Sequence, residues 1–154
     1  MSVIKDSKND VNLNRIPSRL IEYNALIDAA EAMFVLEGQS LEQLCKNHAQ
    51  DLMSYDVILQ ECKTIEEAVR TRVEEIESEC YKNLNENNPR SLGQRDITQY
   101  IKSEPRYIAA YEILLEIILV KRKLEAIVEA LKSLGWSLNN IVKLRIAQLE
   151  HVTL

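Results

Sequence analysis

Apolar side chains recur every three or four residues over most of this chain, and the places where that rhythm stops divide it into helices. The first run follows Pro17. Leu20, Tyr23, Ile27, Ala30 and Phe34 share one helical stripe, with Ser18 as cap and Gly38 as stop, which predicts a helix from residue 18 to Glu37. Ser40-Leu41-Glu42-Gln43 then has the form of a capping box, with Ser40 at the N-cap and Gln43 at N3. The helix it opens meets no Pro or Gly until Pro89, so it is expected to exceed 40 residues.

Along that second helix the series Leu41, Cys45, His48, Leu52, Tyr55, Leu59 continues into Cys62, Glu66, Val69, Val73, Ile76 and Cys80. A sustained 3-4 spacing of this kind predicts a coiled-coil-like seam packed on another helix. All three cysteines lie on the seam and read as small core hydrophobes, because they lack the close spacing of zinc ligands. His48 and Glu66 are its two polar intrusions, and polar groups in a seam most often fix register.

Asn85–Gly93 is the one convincing internal loop, followed by a short helix over "RDITQYIK". Ser103 is expected to cap the third long helix, with Pro105 in its first turn, where a missing N–H costs nothing. Its main apolar set is Tyr107, Tyr111, Leu114, Ile118, Leu124, Ile127, Leu131 and Leu134. Residues 113–120 are apolar almost all round, so they need cover on more than one side, which a homo-oligomer supplies. Gly135 reads as a left-handed helix stop and Trp136 as the hydrophobic plug that packs back on the last turn, a structural corner. Ser137 would then cap a short last helix carrying Leu138, Ile141, Val142, Leu149 and Val152.

The fold class expected from this layout is all-α: a long helical hairpin, coiled-coil-like, with a short C-terminal helix, assembling into a homo-oligomer. Residues 1–16 are polar and aperiodic and read as a flexible arm; residues 17–154 read as a single helical domain. Composition agrees, since 46% apolar residues can build a core while three Gly, three Pro and one Phe do not suit a sheet protein with frequent turns. An odd cysteine count and no apolar leader point to a reducing cytoplasm, that of the bacterial host if the chain is phage-encoded. The apolar run Ile113–Val120 carries Glu116 and falls far short of the roughly 20 residues needed to span a bilayer, so no membrane partner is expected.

Nothing in the chain reads as an active site, a metal site or a cofactor site: the two histidines stand apart, and there is no phosphate-binding glycine loop. A hydrolytic pairing of His48 with Glu66 is the weakest reading. Charge is more informative. Residues 1–88 hold 9 Lys and Arg against 17 Asp and Glu, whereas residues 89–154 hold 10 against 7, so an acidic half is followed by a basic one. Within the basic half Lys121, Arg122 and Lys123 are adjacent, and Arg90, Arg95, Lys102 and Arg106 gather around the loop. Such cations serve either nucleic-acid phosphate or the acidic half of a neighbouring copy.

The stretch Lys132-Ser133-x-Gly135-Trp136-x-Leu138-x-x-Ile141-x-x-x-Arg145 resembles the C-terminal signature of the UvsY-like phage recombination mediators. Length, helix order and the polar central loop are also similar to that family, over roughly residues 18–150. The resemblance places Arg70 and Arg72, in "EAVRTRVEE", where the family carries a basic pair on its long helix, and implies that they contact single-stranded DNA. Here "EEIESE" follows the pair in place of the family's aromatic pair and glycine. The function implied is loading a RecA-like recombinase onto DNA coated with single-strand-binding protein, by a homo-oligomeric ring for which a heptamer is one size. Besides Arg70 and Arg72, Lys121, Arg122 and Lys123 are nucleic-acid-binding candidates. The alternative is a helical coiled-coil interaction or regulatory protein that does not bind DNA.

Overall fold

Four α-helices follow one another without a strand among the described residues: α1 (Ile16–Ala29), α2 (Leu41–Asn87), α3 (Gln94–Ser103) and α4 (Pro105–Val152), with a 3₁₀ segment at Ala30–Phe34. The computed structural model describes residues 15–35, 38–87 and 93–152. The expected arm therefore lies outside them except for Arg15 and Ile16, as does most of the expected Asn85–Gly93 loop, including Arg90. Ile16 belongs to α1 and is buried, so the core begins one residue inside the segment read as arm.

Local signals account for most helix ends. Pro17 sits in the first turn of α1, where its lack of an N–H is harmless. That helix gives way to 3₁₀ geometry at Ala30, earlier than the expected end at Glu37, and Gly38 takes a φ of +78°, the left-handed region that glycine enters without strain. Ser40 caps α2 as expected, its Oγ accepting from the Gln43 N–H at 3.2 Å, but the Gln43 side chain donates forward to Asn47 at 2.7 Å and leaves the box half closed. Between α3 and α4 the chain changes helix at one residue, Glu104. Ser103 does not cap α4: its hydroxyl donates back to the Tyr100 carbonyl at 2.8 Å, and Pro105 opens the new helix.

The chain divides into two compact units. The first takes in the chain through Ile21 together with Cys62–Val120. In it the α2 seam residues Cys62, Val69, Val73 and Ile76 are buried, as are Ile97 and Ile101 of α3 and Ala110, Leu114 and Ile117 of α4. Arg106 of α4 donates to Glu79 of α2 at 3.0 Å, and Tyr107 stacks on Tyr111 with ring centres 5.8 Å apart. The Tyr107 hydroxyl is pushed up in pKa by burial and then by the neighbouring Glu77.

The second unit comprises Glu22–Glu61 and Lys121–Leu154. Its buried residues include Tyr23 of α1, Tyr55 and Leu59 of α2, and Leu124, Val128, Leu131 and Leu138 of α4. Tyr55 donates its hydroxyl to the Leu26 carbonyl at 2.7 Å, satisfying one of the last acceptors of α1. Burial, and then Asp51, raise the Tyr55 pKa, so it stays a donor through the neutral range.

Three linked sequence expectations fail at Gly135, Trp136 and Ser137. Gly135 does not end a helix, because α4 continues unbroken from Pro105 to Val152 and there is no separate short C-terminal helix. Trp136 is no plug either, being 74% exposed. Ser137, expected as a cap, sits mid-helix and donates to the Ser133 carbonyl one turn back at 3.2 Å.

The cysteines do not share one environment. Cys62 is wholly buried, Cys45 is exposed, and Cys80 is half-buried with its thiol pKa pushed up by burial and by Glu104, against the lowering pull of Arg106. Only the thiolate reacts with disulfide reagents, so a raised pKa slows labelling at neutral pH and the rate climbs later along the pH scale. The expected order of labelling is Cys45, then Cys80 with a rate still rising in alkaline buffer, and Cys62 only on unfolding. Stopped-flow thiol titration with mass-spectrometric assignment checks it, and fast native labelling of Cys62 contradicts the described core.

Candidate nucleic-acid interface

The basic candidates fall on two different helices. Arg70 and Arg72 project from the middle of α2, in a segment crowded with glutamates, and each is engaged within its own helix. Arg70 donates to Glu66 at 2.8 Å, and Arg72 donates to Glu75 at 2.8 Å. The first pair matters to the core: Glu66 is a seam residue and buried, and Arg70 reaches it from one turn away. A guanidinium holding a buried carboxylate is a structural element, and withdrawing it exposes the carboxylate's desolvation cost. The second pair is exposed on both sides and worth little.

Lys121, Arg122 and Lys123 lie on α4 instead, and the latter two are exposed. Arg122 and Lys123 make no ion pair among the described residues, so their charge is open to a ligand.

Sequence reasoning missed a third feature because it assumed a break at Gly135. With α4 continuous, Lys132 stands four residues before Trp136 and Lys143 seven after it, spacings that put all three on one face of the helix. Trp136 and both lysines are exposed. Lys132 lies 3.7 Å from Glu129, a loose and solvent-exposed pair. An uncovered indole between cations has the chemistry that single strands use: a π-face for a base and positive charge for its phosphates. The periodicity that shows this is readable in "KSLGWSLNNIVK", once glycine is not taken as a stop.

Gly135 has a different purpose. It falls on the buried stripe of α4 between Leu131 and Leu138, and the His48 ring of α2 fills the space its missing side chain leaves. A methyl group on Gly135 would stand 2.6 Å from His48 Cε1 and 2.8 Å from Nε2. From that notch His48 Nε2 donates to the Leu131 carbonyl at 2.7 Å; since a carbonyl only accepts, Nε2 carries the proton. His48 is thus held by packing and Glu66 by Arg70, two separate structural roles. The adjoining cavity, lined in part by Met33, Asn47 and Asp51, measures about 220 Å³, below the usual size of a ligand pocket. Among the described residues no group of three His, Cys, Asp or Glu is placed to hold a metal ion, and no helix is long and apolar enough to cross a membrane.

Comparison with known protein families, with curated sequences and with solved structures finds no match for this chain.

The notch yields a prediction whose sign is set by two opposed effects. Replacing a mid-helix glycine by alanine normally stabilises by about 0.5–1 kcal/mol. At Gly135 the added methyl overlaps the His48 ring, and forcing it in costs about 1–3 kcal/mol through overpacking and the displaced hydrogen bond. Gly135→Ala is expected to destabilise the chain by about 1 kcal/mol in urea denaturation. In a His48→Ala background the same change should stabilise. Equal effects in both backgrounds would mean that the ring does not occupy the notch.

Proposed function

We propose that this chain is a self-associating single-stranded DNA-binding protein of the recombination-mediator kind, which helps load a RecA-like recombinase onto DNA coated with single-strand-binding protein. The residue pattern around Lys132–Arg145 supports the mediator part of the reading, by its resemblance to the UvsY-like proteins. The observation that carries the DNA part is the exposed Trp136 on a face of α4 shared with Lys132 and Lys143, one helix with the open cations Arg122 and Lys123.

The mechanism follows from what such a surface can do. Stacking on an aromatic ring contributes roughly 1–3 kcal/mol per base without regard to sequence, and each neutralised phosphate adds affinity by counterion release. One copy therefore binds weakly. Several copies on one strand add their contributions through multivalency, holding a strand loosely enough for a filament-forming recombinase to replace them. No bond is made or broken in such an exchange. Arg70 and Arg72, the positions the resemblance assigns to DNA, carry charge already met by Glu66 and Glu75, so in this reading phosphate binding falls chiefly to α4.

The acidity of α2, with 11 Asp and Glu against 5 Lys and Arg in Leu41–Asn87, favours the second reading of an interaction protein without DNA affinity. Oligonucleotide titration separates the two. At low salt an oligothymidylate is expected to quench Trp136 fluorescence. Lys123→Ala with Lys143→Ala should weaken binding and flatten the slope of log K against log salt by roughly 0.7 for each phosphate no longer neutralised. Arg70→Ala with Arg72→Ala should leave that slope near the wild-type value while lowering thermal stability. Absence of quenching and of binding at low salt would give the chain to the second reading.

A further inference from the structure

The α4 helix carries a second seam, opposite in character to the buried one. Ile108, Glu112, Leu115, Leu119, Arg122 and Ala126 follow the alternating four- and three-residue spacing that puts them on one helix face, and all six are exposed. Leu115 is 49% and Leu119 56% exposed, on the turns of α4 whose opposite side buries Leu114, Ile117 and Val120. Glu112 and Arg122 make no ion pair among the described residues.

The order of these six residues is self-complementary. Laid against a second copy of itself in the antiparallel sense, Leu115 meets Leu119 of the second copy, Glu112 meets its Arg122, and Ile108 meets its Ala126. Each layer occurs twice about a two-fold axis. Two leucine layers lie at the centre, two carboxylate–guanidinium layers bracket them, and a large residue faces a small one at either end. The parallel in-register alternative places Glu112 on Glu112 and Arg122 on Arg122, which like-charge repulsion disfavours. The charges thus select both the occupant and its direction.

We propose that the Ile108–Ala126 face of α4 is a two-fold, antiparallel interface between copies of this chain, with Glu112 paired to the partner's Arg122. The proposal rests on the self-association part of the functional reading and not on its DNA part. It also divides the basic surface: Arg122 goes to the partner copy, leaving Lys123, Lys132, Trp136 and Lys143 for a strand. An interface of this symmetry makes the dimer the building unit, so assemblies contain an even number of copies. A single heptameric ring, one size open to the family resemblance, does not follow from it.

The test is a charge-reversal cycle on the full chain, read by sedimentation equilibrium and native mass spectrometry at micromolar concentration. The wild type is expected as a dimer or an even multiple. Glu112→Arg and Arg122→Glu should each weaken dimerisation at least about tenfold, because each puts like charges into two layers. The double variant should recover to within about threefold of wild type. Both charged positions lie on the surface, so circular dichroism should report unchanged helix content throughout. A wild-type monomer overturns the proposal and assigns the face to a different protein. A wild type that assembles equally well with either reversal, or a double variant no better than the singles, overturns this pairing while leaving self-association by another face intact. Failure of oligonucleotide binding with an intact cycle would defeat only the DNA reading.

Discussion

The fit of the His48 ring against Gly135 fixes how α2 and α4 pair in the unit that holds them both. Helices packed along a 3-4 seam of similar aliphatic residues can slide by a turn at modest cost, because one leucine layer replaces another. A ring that needs a side-chain-free position, and that reaches a specific backbone carbonyl from it, has only one place to sit. Moving α2 by a turn would press the imidazole against Leu131 or Leu138 and leave its polar edge without the acceptor. The same unit is tied to α1 by the Tyr55 hydroxyl on Leu26, again a side chain to a backbone carbonyl. Apolar burial supplies the driving force, and these two polar contacts choose among the ways of achieving it.

Because Gly135 is a notch and not a stop, α4 is one helix, and its functional reading depends on that. Its buried stripe runs through Ala110, Leu114, Ile117, Leu124, Val128, Leu131 and Leu138, which leaves other faces of the same rod to do different things. One of them is apolar at its middle and oppositely charged toward its ends. Another, further along, sets Trp136 among lysines. The α2 helix is the contrast: its arginines lie among glutamates and are bonded to them, and its surface is acidic. The proposed self-association and the proposed strand binding therefore fall to separate faces of α4.

Much of this was legible in the sequence. The seam of α2 from Tyr55 to Ile76 was readable from spacing alone, because a 3-4 repeat sustained over many turns has no other simple explanation, and each of Leu59, Cys62, Val69 and Val73 is buried. The half-closed capping box at Ser40 and the position of Pro105 were readable for the same local reasons. What misled was the two-residue unit Gly135-Trp136. Glycine ends helices by entering the left-handed region, but it also admits a neighbouring side chain, and only the position of a residue 87 places earlier in the chain decides which; His48 is that residue. Reading Gly135 as a stop made Trp136 a plug and hid the surface it belongs to. Local charge misled in another way: Arg70 and Arg72 look like free cations until the i–4 and i+3 glutamates are seen to take them.

The continuity of α4 through Gly135 is the claim on which these readings meet, and amide hydrogen exchange tests it directly. In an unbroken helix the Ser137, Leu138, Asn139 and Asn140 N–H groups each bond a carbonyl one turn back, whereas the first turn of a new helix capped by Ser137 would leave them without a backbone acceptor. They should be protected to a degree comparable with Leu124–Leu131. Exchange of these four amides at the rate of an open chain, beside a protected Leu131, would place a helix end at Gly135 and contradict the account.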